Sequence, residues 1–346
     1  MKSIVTAVLI LSVWATHALG QSEPPITQTE YVQMLYKLER DPMTRRTIIE
    51  ALRKRGISFV VTGGLRSLTS TKSKGDQELR RTLEEADRRR QNPSDRIRPL
   101  SSEVMDAVNR SRTAVIEALD EMPDFVVKQQ IQRSASFAGT NNFRNLDRLV
   151  VGVSYRSSGV EEYRLLSLNG VIQHNSTPKT SYEELGGTSS TGEFVTVLAT
   201  IFKPESETSF ELSDTDTLRG RRCFVLSFTA DKEKARQALI SSGASAVTGM
   251  SGKVWIDRET FRVLRIETEA TDIPDDFPIS AAKRAIDYDW VEIGGARYLL
   301  PSLSDIRLKI RQGREVYETR NLIRFRDYQK FGTEIRILDE DEEINP

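Results

Sequence analysis

Apolar residues recur at helical spacing over the first third of this chain and at every second position over most of the rest. Tyr31, Met34, Leu35 and Leu38 follow Thr27-Gln28-Thr29-Glu30, a capping box in which Thr27 accepts from the backbone at Glu30 and Glu30 reaches back. Asp41-Pro42 opens a second helix striped by Ile48, Ile49 and Leu52, and Gly56 ends it at positive φ. Ile57 to Thr62 reads as a short extended piece. A further helix from about Asp76 turns Leu79, Leu83 and Ala86 inward, and Arg88 to Arg98 reads as a polar linker. A longer helix, Ser102 to Met122, carries Val104, Val108, Val115, Ile116 and Leu119, and stops at Met122-Pro123.

Beyond Pro123 the period is two. Phe224, Leu226 and Phe228 share a face after a turn at Arg219-Gly220-Arg221. Val254 and Ile256 alternate with Trp255 and Asp257; Asp257 to Thr260 turns the chain; Leu264 and Ile266 alternate with Arg265 and Glu267. Gly294-Gly295 is a two-residue hairpin signal, because glycine accepts the positive φ such a turn needs. Ile306, Leu308 and Ile310 alternate with Arg307, Lys309 and Arg311, Gln312-Gly313-Arg314 turns, and Tyr317 to Phe325 returns. Connections this short join antiparallel neighbours, so the pattern predicts a meandering sheet with one apolar face and one rich in Arg and Glu. Helical interruptions are expected at Gly192 to Phe202 and Asp231 to Ser241.

The amino terminus adds a compartment. Lys2, the apolar stretch Ile4 to Trp14 and the small residues of Ala18-Leu19-Gly20 form a cleavable secretory signal ending before Gln21. The apolar run is too short to span a bilayer. No later stretch is long and apolar enough to do so, so the mature chain is expected to be soluble, periplasmic or secreted. About 325 residues remain after cleavage, enough for two domains and a substantial core. Cys223 is the single cysteine, which excludes an intramolecular disulfide. It reads as a buried apolar thiol, with a reactive thiol or an intermolecular bridge as the other options.

Charge is balanced overall but not locally. Lys37 to Arg98 holds 17 Lys/Arg against 9 Asp/Glu. That excess reads as a solvated helical face or as a surface for an anionic or protein partner. The compartment argues against nucleic acid. Asp339 to Glu343 forms an acidic tail without the glycine of a calcium loop.

Chemistry is sparse. His174 alone could serve a mature active site, in the polar loop after Asn169-Gly170, and no Gly-x-Ser-x-Gly elbow accompanies it. One histidine and one cysteine cannot build a usual zinc site. Carboxylate pairs occur at Glu183-Glu184, Asp257 with Glu259, and Asp275-Asp276. Val61-Thr62-Gly63-Gly64-Leu65 lacks the Gly-Lys-Ser/Thr of a phosphate loop, and Gly186 to Gly192 reads as a flexible connector. No cofactor is implied.

Several segments are familiar together. Asp120 to Gln130 with its Met-Pro-Asp-Phe centre, Val160 to Gly170, Thr191-Gly192-Glu193-Phe194, Gly252 to Thr260, and Tyr298-Leu299-Leu300-Pro301 resemble a group of uncharacterised exported bacterial proteins. The Gly-x-Val-Trp-Ile-Asp-x-x-Thr hairpin also resembles the outer-membrane lipoprotein-sorting (lipoprotein carrier) half-barrel superfamily. The likeness to the exported group spans about 120 to 337. Residues 42 to 86, with Arg55-Gly56-Ile57-Ser58-Phe59 followed by Thr62, more faintly resemble a small helical module at the front of other exported bacterial proteins. That module's Leu-x-x-Ala-Gly turn is replaced here by Thr69 to Gly75. Half-barrel resemblance implies a curved antiparallel sheet around an apolar concavity, closed by helices, holding acyl chains or a partner's lipid. No catalytic motif comes with it.

The expectation is therefore an α+β protein. A signal peptide (1–20), a small helical domain (21–92), and a linker with a long helix (93–122) precede an antiparallel half-barrel (123–338) and an acidic tail (339–346). Its expected function is non-enzymatic periplasmic binding of lipid, lipoprotein or another apolar ligand. The expected lining is Phe224, Leu226, Phe228, Val254, Ile256, Leu264, Ile266, Ile306, Leu308 and Ile310; the same residues also suit an ordinary filled core. The alternative is an envelope interaction or sensor module with a filled core, meeting a protein partner through its basic helical domain.

Overall fold

The computed structural model describes residues 23–93, 99–140, 142–173, 194, 196–241 and 244–331. The expected signal segment, His174, Glu183-Glu184, the loop at 186–192 and the acidic tail lie outside these residues. The chain divides into two compact units, residues 1–98 and 99–346.

The first unit is four helices around one apolar cluster: α1 Gln28–Arg40, α2 Thr44–Arg55, α3 Gly63–Lys72 and α4 Gln77–Gln91. Thr27 caps α1 by accepting from the Glu30 N–H, but only half of the expected box forms. The Glu30 carboxylate turns instead to the Arg55 guanidinium, 2.6 and 2.9 Å away, because a charge-assisted fork outcompetes a single backbone N–H. Asp41 caps the start of α2 through the Met43 N–H and the Thr44 hydroxyl, and Gly56 ends α2 at φ 68. Ile57 then makes one parallel bridge with Ile26.

Two readings of this region are corrected. Thr62 caps a helix, α3, that the sequence pattern did not single out. Its two opening glycines disguise it, and only Leu65 and Thr69 are buried. Arg88 to Gln91 belong to α4 rather than to a linker. Arg88 and Arg89 pair with the buried Glu85, and Arg90 with the buried Asp87, so helical i,i+3 and i,i+4 partners neutralise the arginine run. Arg45, Arg53, Arg66 and Lys72 are likewise paired within the unit.

The second unit opens with α5, Ser101–Asp120, the long helix that the sequence reading placed with the linker. Its buried stripe is Val104, Ala107, Val108, Ser111 and Val115, while Ile116 and Leu119 are only half-buried. Twelve antiparallel strands follow among the described residues: β1 Phe125–Phe137, β2 Arg144–Tyr155, β3 Glu161–Leu168, β4 Val171–Ile172, β5 Ser209–Leu218, β6 Arg221–Ala230, β7 Gln237–Ser241, β8 Ala244–Asp257, β9 Val263–Thr271, β10 Ile279–Ile293, β11 Ala296–Gln312 and β12 Glu315–Lys330. Their order is β4-β3-β2-β1-β12-β11-β10-β9-β8-β6-β5, with β7 on β8, so the sheet is curved but does not close. This is the expected half-barrel.

Short helices α6, Thr196–Phe202, and α7, Lys232–Ala235, interrupt the meander. The helix expected over Asp231 to Ser241 is cut to that single turn, since Arg236 takes φ 45 and Gln237 onward pairs with β8. The β10–β11 hairpin turns at Gly294-Gly295, with φ 61 and 85, as the glycine pair predicts.

Gly252 in β8 is required by close approach. A Cβ there would stand 1.9 Å from the Glu267 carbonyl oxygen on β9. Gly252→Ala is expected to push the strands apart at a cost of about 1–3 kcal/mol, read as a lowered urea midpoint with unchanged slope.

Candidate functional site

Cross-strand register lays the inner face of the sheet out in rows. The central row runs Leu168–Leu149–Ile131–Ile323–Ser304–Ile286–Ile266–Val254–Leu226–Leu212, each residue paired with the next. Over its β5–β10 half lie α5 and α6. Phe224, Leu226, Phe228, Val254, Ile256 and Ile266 form one cluster there with Val104, Ala107, Val108, Val115, Val197, Ile201 and Phe202. Side chains from the helices therefore fill the space above six of the ten expected lining residues.

The remaining four separate. Leu264 leaves the inner face altogether. The pairs Trp255↔Arg265 and Ile256↔Val263 bracket a β-bulge that inserts Leu264 as an extra residue. Val263 takes the inward place, and Leu264 joins Leu218, Cys223, Val225 and Trp255 on the outer face. Ile306 belongs to the cluster over β1, β2 and β12, with Phe125, Val127, Ile323, Phe325 and Phe194. Leu308 and Ile310 are half-buried against Phe277, Ile279 and Ala282, in a cluster to which α5 and α6 contribute nothing.

Beyond the helices the inner face continues in three rows. The first is Asp147–Arg133–Asn321–Ile306–Arg284–Thr268–Gly252. The second is Ala135–Thr319–Leu308–Ala282, and the third Phe137–Tyr317–Ile310–Ile279. Burial is uneven along them: Ile306, Ala282 and Ile279 are buried, Leu308 and Ile310 half-buried, and Phe137 is 56% exposed. Phe137 and Tyr317 still hold each other, ring centroids 5.1 Å apart. Beside the core under the helices, the apolar face thus continues as a half-buried floor, where Leu308 and Ile310 pack with Leu239, Ala246, Ala270 and Phe277.

The inner end of that floor is polar. Arg133 forks onto Asp147 at 2.7 and 2.6 Å. Asn321 is 2% exposed, and Arg284 stands half-buried between Ile306 and Thr268. Ser304, in the central row, and Gln129, facing inward beside Val127 and Ile131, are fully buried; the Ser304 hydroxyl and both Gln129 amide atoms lack a hydrogen-bond partner. The sequence reading did not name any of these residues. The available signal was a polar residue at an inward parity, as Ser304 before Ile306, Leu308 and Ile310.

The described carboxylate pairs do other work. Asp257, 1% exposed, accepts from the backbone N–H groups of Glu259 and Thr260 at 2.8 and 3.1 Å and binds the Arg221 guanidinium. Burial alone would raise its carboxyl pKa; the Arg221 hydrogen bond, the two N–H donors and the Arg221 charge outweigh that and hold it below the usual range. It shapes the hairpin, and Glu259 points to solvent. Asp275 and Asp276 sit exposed in a turn. Cys223 is buried, and burial, with the nearby Asp216 and Asp257 charges, pushes its thiol up to about 12, so it stays protonated and inert. Among the described residues no group of three or more His, Cys, Asp or Glu side chains could hold a metal.

The outer face is an ionic ladder. Arg265 bonds Glu267 and Asp287, while Asp305 lies between Arg307 and Arg320. Such cross-strand pairs contribute about 0.2–1 kcal/mol each, and they stand on the same face as the buried cluster around Trp255 and Leu264.

Fold and site together define an open antiparallel sheet, covered by α5 and α6 over one half and carrying a half-buried apolar floor beside it among the described residues. No protein-family model and no curated protein sequence matches the chain. Among solved structures it is similar to a DUF1329 family protein from Desulfovibrio piger, at 11% identity and TM-score 0.30, over 66% of this chain and 95% of that one. It is also similar to MucB of Pseudomonas aeruginosa in complex with MucA, at 11% identity and TM-score 0.20, over 64% and 93%. A structure of MucB with MucA(peri) gives 12% identity, TM-score 0.19 and the same coverage. No residue role is carried across from them. Among the described residues no helix is long and apolar enough to cross a membrane.

Proposed function

We propose that this chain is an exported, non-enzymatic binding protein that holds an apolar ligand, such as a lipid or the acyl chains of a lipoprotein, on the half-buried floor of its sheet beyond α5 and α6. One observation carries the reading: the inner-face rows do not stop where the helices stop. Leu308 and Ile310 stay half-buried and Phe137 is 56% exposed, on the same face as a fully buried core. An amphipathic strand keeps apolar side chains in water only at a cost, and a ligand laid along the floor would remove it. The expected signal segment supports an envelope location.

A filled core beneath α5 and α6 also suits an interaction module without a small ligand. Its expected docking surface, the basic helical domain, has many of its cations paired internally, which weakens that alternative. A fluorescent acyl probe titrated into the protein separates the two. Wild type is expected to bind it, and Leu308→Gln to weaken binding about tenfold by removing apolar contact. Wild type that ignores every acyl probe would leave the interaction module standing.

A further inference from the structure

We propose that the outer face of the sheet over β12, β1, β2 and β3 docks the protein on an anionic phospholipid surface, through the guanidiniums of Arg148, Arg164, Arg324 and Arg326. The ligand floor lies on the opposite face, and the inference does not rest on it.

Register brings the four together. The outer rows run Arg326–Lys128–Gly152–Arg164, Arg324–Gln130–Val150 and Leu322–Gln132–Arg148, each residue paired with the next. Arg326 and Arg164 therefore stand three strand spacings apart, roughly 14 Å, and Arg324 lies roughly 7 Å along its strand from Arg326. All four are exposed. Among the described residues no hydrogen bond, ion pair or ring contact reaches their guanidiniums.

The neighbouring part of the same face is built differently. Arg265 has Glu267 and Asp287, and Arg307 and Arg320 share Asp305, carboxylates on the same or an adjacent strand. Between the four arginines the equivalent positions are Gln130, Gln132, Val150 and Gly152. The carboxylates beside them are Asp327, taken by Lys128 at 2.8 Å, and exposed Glu162, two residues before Arg164. Positive charge is thus in clear excess, and an external anionic surface relieves the mutual repulsion.

Two features select a bilayer over an acidic polypeptide. β1, β2 and β12 are interior strands whose backbone groups pair with neighbours on both sides, so an extended segment laid across them finds no backbone partners. A layer of head groups needs only side-chain donors, and guanidinium grips phosphate as a fork. The second feature is Leu166, half-buried with its side chain 3.2 Å from where a Cβ on Gly152 would stand, in the row between Lys128 and Arg164. An apolar side chain among cations suits the boundary between head groups and acyl chains.

The test is co-sedimentation of residues 21–346, without the expected signal segment, with vesicles of equal parts phosphatidylglycerol and phosphatidylcholine. Vesicles of phosphatidylcholine alone are the comparison. Wild type is expected to sediment with the mixed vesicles only, and to be released at about 1 M salt, where screening sets in beyond about 3 Å. Arg324→Gln/Arg326→Gln should bind about thirtyfold more weakly, since each arginine near an anionic surface supports roughly a fivefold factor. It should melt like wild type, because it removes no internal contact. Lys37→Gln/Arg40→Gln, which removes two exposed cations of α1, controls for net charge and should bind as wild type does. Equal weakening by the two double variants would overturn the inference in favour of non-specific charge. Wild type that ignores the mixed vesicles would also overturn it, and capture of poly-glutamate by the same face would then make this a protein-docking surface. Acyl-probe binding, read in parallel, reports on the floor alone and should be unchanged by either pair of substitutions.

Discussion

Leu226→Ala is expected to lower the stability of the sheet unit by about 2–5 kcal/mol while leaving acyl-probe binding unchanged. Leu226 is fully buried, with Val254 and Leu212 beside it and α5 and α6 in the same cluster above. The loss depends on how far the surroundings collapse into the cavity. Here α5 is held at several points: Glu103 to Arg258 at 2.6 Å, the Ala114 carbonyl to Arg262, Arg112 to the Thr208 carbonyl, and Arg110 over the Phe261 ring. A helix pinned along its length cannot sink, which places the cost in the upper part of the range. Val254→Phe probes the same packing from the opposite side. It overfills a site with no room, at about 1–3 kcal/mol, and again probe binding should persist. Urea unfolding and probe titration of both variants decide the matter. Little destabilisation together with lost probe binding would mean that this half of the face, not the outer floor, lines the ligand site.

Asp257→Ala is expected to cost about 3 kcal/mol, since it strips two backbone N–H groups and a guanidinium of a buried carboxylate partner. The pH dependence has a definite sign. The folded-state pKa of Asp257 is depressed, so its contribution is complete above the unfolded value near 3.9 and is lost as pH falls through the lower folded value. Wild type should therefore lose stability below about pH 4 more steeply than Asp257→Asn, which has no carboxylate to protonate. Parallel acid-unfolding curves for the two proteins would show that the hairpin does not depend on this charge. The experiment also bears on function, because Asp257 is one of the few buried carboxylates, and its lone pairs are occupied by structure rather than chemistry.

Much of the half-barrel was legible from two-residue periodicity and from turns whose residues permit only one geometry. Gly294-Gly295 and Arg219-Gly220 place positive φ at both central positions, and the strands on either side pair as the alternation requires. The lining was less legible. Strand parity names a face only while the register is unbroken, and the bulge at Leu264 reverses it without any mark in the sequence. Alternation also says that Phe224 and Leu308 are both apolar and inward, but not that a helix covers one and leaves the other half-exposed.

The sequence by itself determined the change from helical to strand period at Pro123, the antiparallel meander, the capping of α1 and α2, and a lone thiol on a buried strand. These follow from neighbours along the chain and from the φ that each residue allows. Only the tertiary structure decided which part of the apolar face is core and which is half-buried floor, and that Ser304, Asn321 and Arg284 share one face. Those outcomes depend on cross-strand register and on where α5 and α6 come to rest. Both are set by contacts between residues far apart in the chain, which no local pattern encodes.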